Sequence, residues 1–579
     1  MPRRGSSPRS VPSSRAPSAP SLYYRAPAAP VLPRRTPSSP SSLTLSTPPL
    51  QLRWHLHASP CQTTASSTSP PGHWGGTVAE RTAIVIGAGV AGLATAALLG
   101  REGFRVTVIE RLGEVGGRAG EETIDGYRFD TGPSWYLMPE AFDHFFGIFG
   151  LRASDVLDLV DLAPAYRIFP EDEEPLDVYS GRDRAIALFD AIEPGAGPTL
   201  SAYLDSAAEA YHLAVEHFLY TTFDSPRPFF SRSLRGRYLK LARLLTEGLE
   251  GVVEKKFRDR RLRQILTYPA VFLSSHPART PSLYHLMSHT DLVEGVRYPR
   301  RGFSAVVSAL ASLACENGAE IRLNADVEAI TYSGSSATGV RLTDGTWLLA
   351  DAVVSTADLH FTETRLLPPS KRTFSDLWFA ARDPGIGAVL VMLGTDKKLP
   401  QLAHHNLLFS RDWEPDFDAV FDSRDGASRS IYVSKPSATD PSTAPAGCEN
   451  LFVLIPVAAA EGFGHGDLYE DVASPAVASL GDAAIDRIGS WCGIENFRDH
   501  ITVARTLGPT DFASRYNAWS GGALGPAHTL RGSAFLRGRN ASKKLSNLYY
   551  AGATTLPGVG VPMCLISAEN VIARMGRSR

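Results

Sequence analysis

The sequence predicts an α/β architecture, a nucleotide-binding βαβ domain interleaved with an α+β region, and three observations predict it. A β-branched run at residues 84–86 meets closely spaced glycines and a small-residue helical stretch. A second glycine- and proline-rich turn, GATTLPGVGVPMCLISAENV at residues 552–571, again joins a strand to a helix. Between them, residues 299–358 read as an apolar helix followed by strands.

The chain of 579 residues is long enough for one large or two intertwined domains with a well-buried core. Its net charge is −2, yet residues 1–79 hold eight arginines and no Asp, Glu or Lys. The remainder therefore carries 50 basic against 60 acidic residues, net −10. An acidic body without a long basic stripe argues against nucleic acid as the main partner. Cys61, Cys315, Cys448, Cys492 and Cys564 are scattered without CxxC spacing, which reads as reduced thiols, and no metal-ligand spacing occurs. Residues 1–78 are dense in Ser, Pro and Arg. They read equally as an organelle transit peptide, as a disordered extension, or as sequence upstream of a start near Val78.

The first βαβ unit is RTAIVIGAGVAGLATAALLGREGFRVTVIER. The uncharged run 83–100 mimics a membrane span, but its glycines and the second strand, Arg105–Ile109, favour a βαβ reading. Gly87 permits the tight turn, Gly89 lets the backbone approach a pyrophosphate, and Gly92 lets helix and strand pack closely. The helix N-terminus offers free N–H groups to phosphates. Glu110, ending the second strand eighteen residues past Gly92, suits a ribose. VGGRAG then supplies Gly116 and Gly117 for close approach and Arg118 as a fork of donors. A hairpin-like segment, 122–129, leads into FDTGPSWYLMP.

Residues 84–138, together with the C-terminal motif, resemble flavoproteins of the amine oxidase and phytoene desaturase superfamily, and bacterial and fungal phytoene desaturases in particular. The resemblance implies a Rossmann-like FAD-binding domain of the two-dinucleotide-binding-domain type, interleaved with an α+β substrate domain. It implies non-covalent FAD held by Gly87, Gly89, Gly92, Glu110, Gly116, Gly117, Arg118, Gly132, Val327, Gly552, Gly560 and Val561. Two residues depart from the pattern: Glu121, where Ser or Thr is usual, and Arg301 in PRRG, where a glycine is usual. The implied activity is desaturation of phytoene or a related C30 or C40 isoprenoid in carotenoid biosynthesis, by hydride transfer to the flavin. The reduced flavin passes its electrons to quinone or oxygen. Alternatives are a carotenoid isomerase or oxygenase, an amine oxidase, and a lipid-binding escort with no redox role.

The expected division is FAD-binding parts at 79–150, 299–358 and 501–579, with substrate regions at 151–298 and 359–500. In 299–358, Val306, Leu310 and Leu313 mark the helix, Asp344 and Gly345 a turn, and Ala352–Ser355 a strand returning to the nucleotide sheet. Residues 211–245 interleave aromatics with Arg and Lys, which by itself favours an ordinary solvated amphipathic face and, for a lipid-dissolved hydrocarbon substrate, a membrane surface. Membrane association would place the enzyme on the cytoplasmic side of a bacterial membrane, or in a plastid or similar organelle if 1–78 is a transit peptide. For the catalytic base only Asp130 in FDTGP stands out, a weak candidate, because an Asp before a Thr-Gly-Pro turn is more often a backbone cap. His144, amid Phe142, Phe145 and Phe146, reads as a packed core histidine.

Overall fold

The computed structural model describes residues 81–224, 236–424, 426–533 and 536–577. Residues 1–78, Cys61 and the centre of the basic–aromatic stretch lie outside them.

Five parallel strands form the nucleotide sheet, in the order Leu548–Tyr550, Ala352–Ser355, Thr82–Ile86, Arg105–Ile109, Ala319–Arg322. Side chains of a strand alternate between faces. Ala83 and Val85 enter the core made with helices Val90–Arg101, Phe303–Glu316 and Val561–Arg577, while Ile84 and Ile86 enter a second core with Ile330, Val340 and Leu359. Both faces are covered, so the inner strands run apolar at 83–86 and 352–354 instead of alternating, while the edge strand Ala319–Arg322 keeps Glu320 and Arg322. Every residue from Val90 to Leu99 is buried, which explains the span-like hydropathy of this segment. Among the described residues no helix is long and apolar enough to cross a membrane. The covering antiparallel sheet, Val327–Ser333, Ser336–Leu342 and Trp347–Leu349, turns at Asp344 and Gly345, where Gly345 takes φ +87°.

The second sheet has seven strands, ordered Ile501–Leu507, Ile386–Thr395, Glu449–Ala458, Ile431–Ser434, His405–Phe409, Tyr166–Pro170, Leu176–Val178. All pairs are antiparallel except His405–Phe409 with Tyr166–Pro170. Its second strand in this order, Ile386–Thr395, is buried along its whole length, with a core on either face, one of them closed by helix Pro475–Trp491. The chain crosses between the two sheets four times, after Ile109, Val178, Ser355 and Leu507.

Two sequence expectations shift. The boundary at 501 falls too early: Ile501–Leu507 is the edge strand of the seven-stranded sheet, pairing Leu390 with Leu507 and Gly394 with Val503. The return to the nucleotide sheet comes only at Leu548. His144 is not a core residue. In helix Pro139–Gly147 the buried face holds Ala141, Phe142, Phe145 and Phe146, the i, i+3, i+4 stripe. His144 projects from the opposite face, half exposed, with Nδ1 3.1 Å from the Glu569 carboxylate.

Candidate cofactor and substrate site

The first turn builds the site. Gly87, at φ +97°, donates its N–H to the Ile109 carbonyl at 2.8 Å. Gly92 lies directly over it: a Cβ on Gly92 would sit 1.9 Å from the Gly87 carbonyl oxygen, whereas one on Gly89 would meet nothing nearer than 3.8 Å. Gly92 therefore serves packing, and Gly89 leaves the space in front of the helix open. Helix Val90–Arg101 has no side-chain cap on its first N–H groups, which leaves them for an anion. Glu110 is buried and accepts from Ala88 N at 2.7 Å and Leu112 N at 2.8 Å, so its carboxylate is fixed at the edge of the same space with lone pairs to spare.

The GGR segment is hydrogen-bonded onto this turn, Gly116 N donating to Ala88 O at 2.9 Å. Gly116 and Gly117 both take positive φ. Gly132 packs against the segment, and a Cβ there would lie 2.0 Å from the Arg118 carbonyl oxygen. Arg118 donates to Leu524 O and lies 3.9 Å from the Asp358 carboxylate, but its buried Nε has no partner.

The C-terminal turn closes the site. Strand Leu548–Tyr550 leads to Gly552, at φ +114°, whose N–H donates to Ser567 Oγ at 3.0 Å. Arg537, 3 % exposed, holds the turn by donating to Ala553 O and Thr555 O on one side and to Pro526 O and Gly532 O on the other. His528 Nε2 accepts from Val559 N at 3.2 Å, and a Cβ on Gly558 would fall 2.3 Å from this ring. The helix then starts at Val561.

These segments enclose a cavity of about 300 Å³. Gly87, Gly89, Glu110, Gly116, Gly117, Arg118, Gly132, Val327, Gly552, Gly560 and Val561 line it; Gly92 does not. A helix N-terminus, a second glycine turn, a fixed carboxylate and an orphaned guanidinium nitrogen in one cleft fit the pyrophosphate, ribose and ring of FAD. The sequence reading missed Thr356, Asp358, Leu390, Phe452, Leu454 and Arg515, which line the same space but belong to no local motif. Cys564 lines it as well, its thiol pushed up to about 11 by burial.

Asp130 does not line this cavity. Its carboxylate accepts from Phe303 N at 3.1 Å, capping helix Phe303–Glu316. Burial, then the charge of Glu121, pushes its carboxyl up to about 7. Glu121 bonds Ser304 Oγ at 2.7 Å and pairs with Arg128. Arg301 takes φ +70° and donates its backbone N–H to Asp440. The PRRG loop is thus turned away from the cavity. Among the described residues no cluster of His, Cys, Asp and Glu is placed to hold a metal ion.

A second cavity of about 110 Å³ adjoins the first, sharing Leu454 and Leu524 with it, and is walled by Tyr268, Phe272, Phe409, Trp413, Phe417 and Tyr432. Its one acid, Asp416, is committed to Ser410, Ser430 and the Arg429 N–H. In-register pairing sets Leu390, Leu454, Tyr432 and Leu407 side by side across four strands. One row of the sheet is therefore the floor of both cavities.

Residues 90–575 match the family described as flavin containing amine oxidoreductase. The chain is 37 % identical to a carotenoid 3,4-desaturase of Haloarcula japonica over 84 % of its own length and 96 % of the relative's. It is 32 % identical to a zeta-carotene-forming phytoene desaturase of Myxococcus xanthus, over 86 % and 94 %. Among solved structures, a putative protoporphyrinogen oxidase from an Exiguobacterium species superposes with TM-score 0.55 at 14 % identity, covering 87 % of this chain and all of that one. This last likeness shows the fold alone. The sequence expectations of fold and cofactor are borne out: the chain belongs to the flavin-containing amine oxidoreductases, among their carotenoid and phytoene desaturases, and is an FAD-dependent oxidoreductase.

Proposed function

We propose that the enzyme introduces conjugated double bonds into a phytoene-like isoprenoid of carotenoid biosynthesis. The observation that carries this reading is the aromatic cavity that adjoins the cofactor cleft, with Leu454 and Leu524 lining both. Its wall offers no free charge to an amine, while a polyene precursor needs only apolar surface and shape. Bound FAD supplies the hydride acceptor. The glycine turns and Glu110 hold the cofactor, Arg118 turns a guanidinium toward it, and Leu390, Phe452 and Leu454 keep water from the reacting carbons. Reoxidation by quinone or oxygen completes the cycle.

A membrane surface is the natural source of such a substrate. Helix Tyr238–Thr246 buries none of its residues, and Leu239 is 88 % exposed. Apolar side chains raised beside Arg237, Lys240 and Arg243 suit the headgroup boundary, although Glu209 and Glu247 already pair with these cations. We extend the proposal to peripheral membrane association, in a bacterial cytoplasm or in an organelle.

Anaerobic mixing of the yellow holoenzyme with phytoene in liposomes tests the activity. Flavin absorbance should bleach while polyene bands grow; an unbleached flavin with no polyene spectrum refutes it. Replacing Leu239 with Asp should weaken co-sedimentation with anionic liposomes and leave flavin content unchanged.

A further inference from the structure

Behind the C-terminal turn sits a charge with no counter-charge. Arg537 is 3 % exposed, and its guanidinium donates to backbone carbonyls alone, those of Ala553, Thr555, Pro526 and Gly532. Two acids, Asp358 and Asp383, wall a small cavity with it. Neither answers it: Asp358 lies 3.9 Å from Arg118 and accepts from the His360 and Trp519 N–H groups, and Asp383 pairs with Arg424 at 2.8 Å. Arg382, on the same cavity, adds a second cation, held by the carbonyls of Trp378 and Leu536.

The ionisable groups that feel the Arg537 charge, His528 and Tyr284, are neutral, and their hydrogen bonds show why. Val559 N can only donate, so His528 Nε2, 3.2 Å away, is the unprotonated nitrogen and the ring proton is on Nδ1. That proton goes to Tyr284 Oη at 2.8 Å, and the Tyr284 hydroxyl donates in turn to Ser533 Oγ at 3.0 Å. Burial, then Arg537, holds His528 well below its ordinary value, and burial holds the Tyr284 phenol above its own. Among the described residues nothing offsets the guanidinium.

A lone cation out of water is among the costliest groups a fold can carry. A turn that needed only clamping could be held by neutral amides. The position of Arg537 gives the charge a use. Ala553, whose carbonyl accepts from Arg537 Nη2 at 2.6 Å, lines the cofactor cleft between Gly552 and Thr554, and the guanidinium stands directly behind that wall.

We propose that Arg537 sets the electron affinity of the flavin: its uncompensated charge, buried behind the C-terminal turn, favours the reduced cofactor over the oxidised one. A hydride carries two electrons with one proton, so each transfer leaves one net negative charge in the cleft. A fixed cation across a dry wall stabilises that charge without reorganising. The need for it rests on the isoprenoid reading above, since a hydrocarbon C–H bond is a reluctant hydride donor and demands a strongly oxidising acceptor.

Arg537→Gln removes the charge and keeps an amide donor to the turn. Ser533→Asp leaves the Arg537 bonds in place, still accepts from Tyr284, and sets the missing carboxylate next to Gly532. In anaerobic reduction of each holoenzyme against a dye of known potential, without substrate, both variants should be reduced on the order of tenfold less favourably than the wild type, about 30 mV for a two-electron couple. Bleaching by phytoene liposomes should slow in both with KM unchanged. If Arg537→Gln sheds its flavin, Ser533→Asp carries the test. Wild-type potentials, with flavin merely bound more weakly, assign the charge to the pyrophosphate and overturn the proposal. No isoprenoid enters the potential measurement, so that result leaves the desaturase reading intact. A wild-type enzyme that phytoene fails to bleach refutes the desaturase reading instead, and the potentials still decide the role of Arg537.

Discussion

Gly92 and Gly132 show how little freedom the cofactor cleft leaves to single residues. Each faces a carbonyl oxygen where a Cβ would stand about 2 Å away, 1.9 Å for Gly92 and 2.0 Å for Gly132. Neither backbone atom can rotate aside, so the loop itself must move. Gly92→Ala should cost about 1–3 kcal/mol or more and be purified with little flavin, as absorbance and thermal melting will report. At Asp130 the expected signature is a pH dependence. Its carboxyl is raised from 3.8 to about 7 by burial and by Glu121, so between those values the folded state binds more protons than the unfolded one. Stability falls as pH rises through that window. Asp130→Asn keeps an acceptor for Phe303 N and removes the titration. Its melting temperature relative to the wild type should climb from pH 4 to pH 7 and level off beyond, and a pH-independent difference would refute the assignment.

At the scale of elements, the C-terminal turn depends on residues outside its own motif. Among the described residues Arg537 has no carboxylate partner and satisfies its guanidinium on four backbone carbonyls, two of them in the turn. Burial pulls its pKa down to about 10, so it remains charged at neutral pH. Arg537→Met, similar in reach but without donors, strands those carbonyls and should cost about 2–5 kcal/mol, with FAD lost on gel filtration faster than from the wild type. The turn was legible in the sequence because positive-φ glycines and a proline opening a helix are local demands. Its clamp was not, because Arg537 and His528 become neighbours of the turn only through tertiary packing. The same holds for the floor: Leu390, Leu454 and Tyr432 carry no motif, and strand register alone sets them in a row. His144 was misplaced for a different reason. Proximity in sequence to three phenylalanines suggested the core, while the helical period puts it on the other face.

Across the whole molecule, four crossings tie the nucleotide sheet to the seven-stranded sheet, so neither can be cut out as a continuous segment. The interleaving itself was legible, since both glycine turns had to meet on one cofactor. The boundary at 501 was not, because Ile501–Leu507 reads as a strand but nothing local says which sheet it joins. Thermal unfolding should accordingly be a single transition by calorimetry. Added FAD should raise it as mass action demands, by about 2.7 kcal/mol at a hundredfold excess over Kd. Two separate transitions, only one of them shifted by FAD, would contradict this coupling.

The shared floor also has an evolutionary meaning. At one end Leu390 lines the cofactor cleft, whereas Leu407 and its strand neighbour Phe409 line only the aromatic cavity proposed for the substrate. Substitutions at that end can lengthen, shorten or bend the space offered to a polyene without disturbing the flavin. A lineage can thus change its pigment by editing two strands, His405–Phe409 and Ile431–Ser434, and keep its redox machinery untouched.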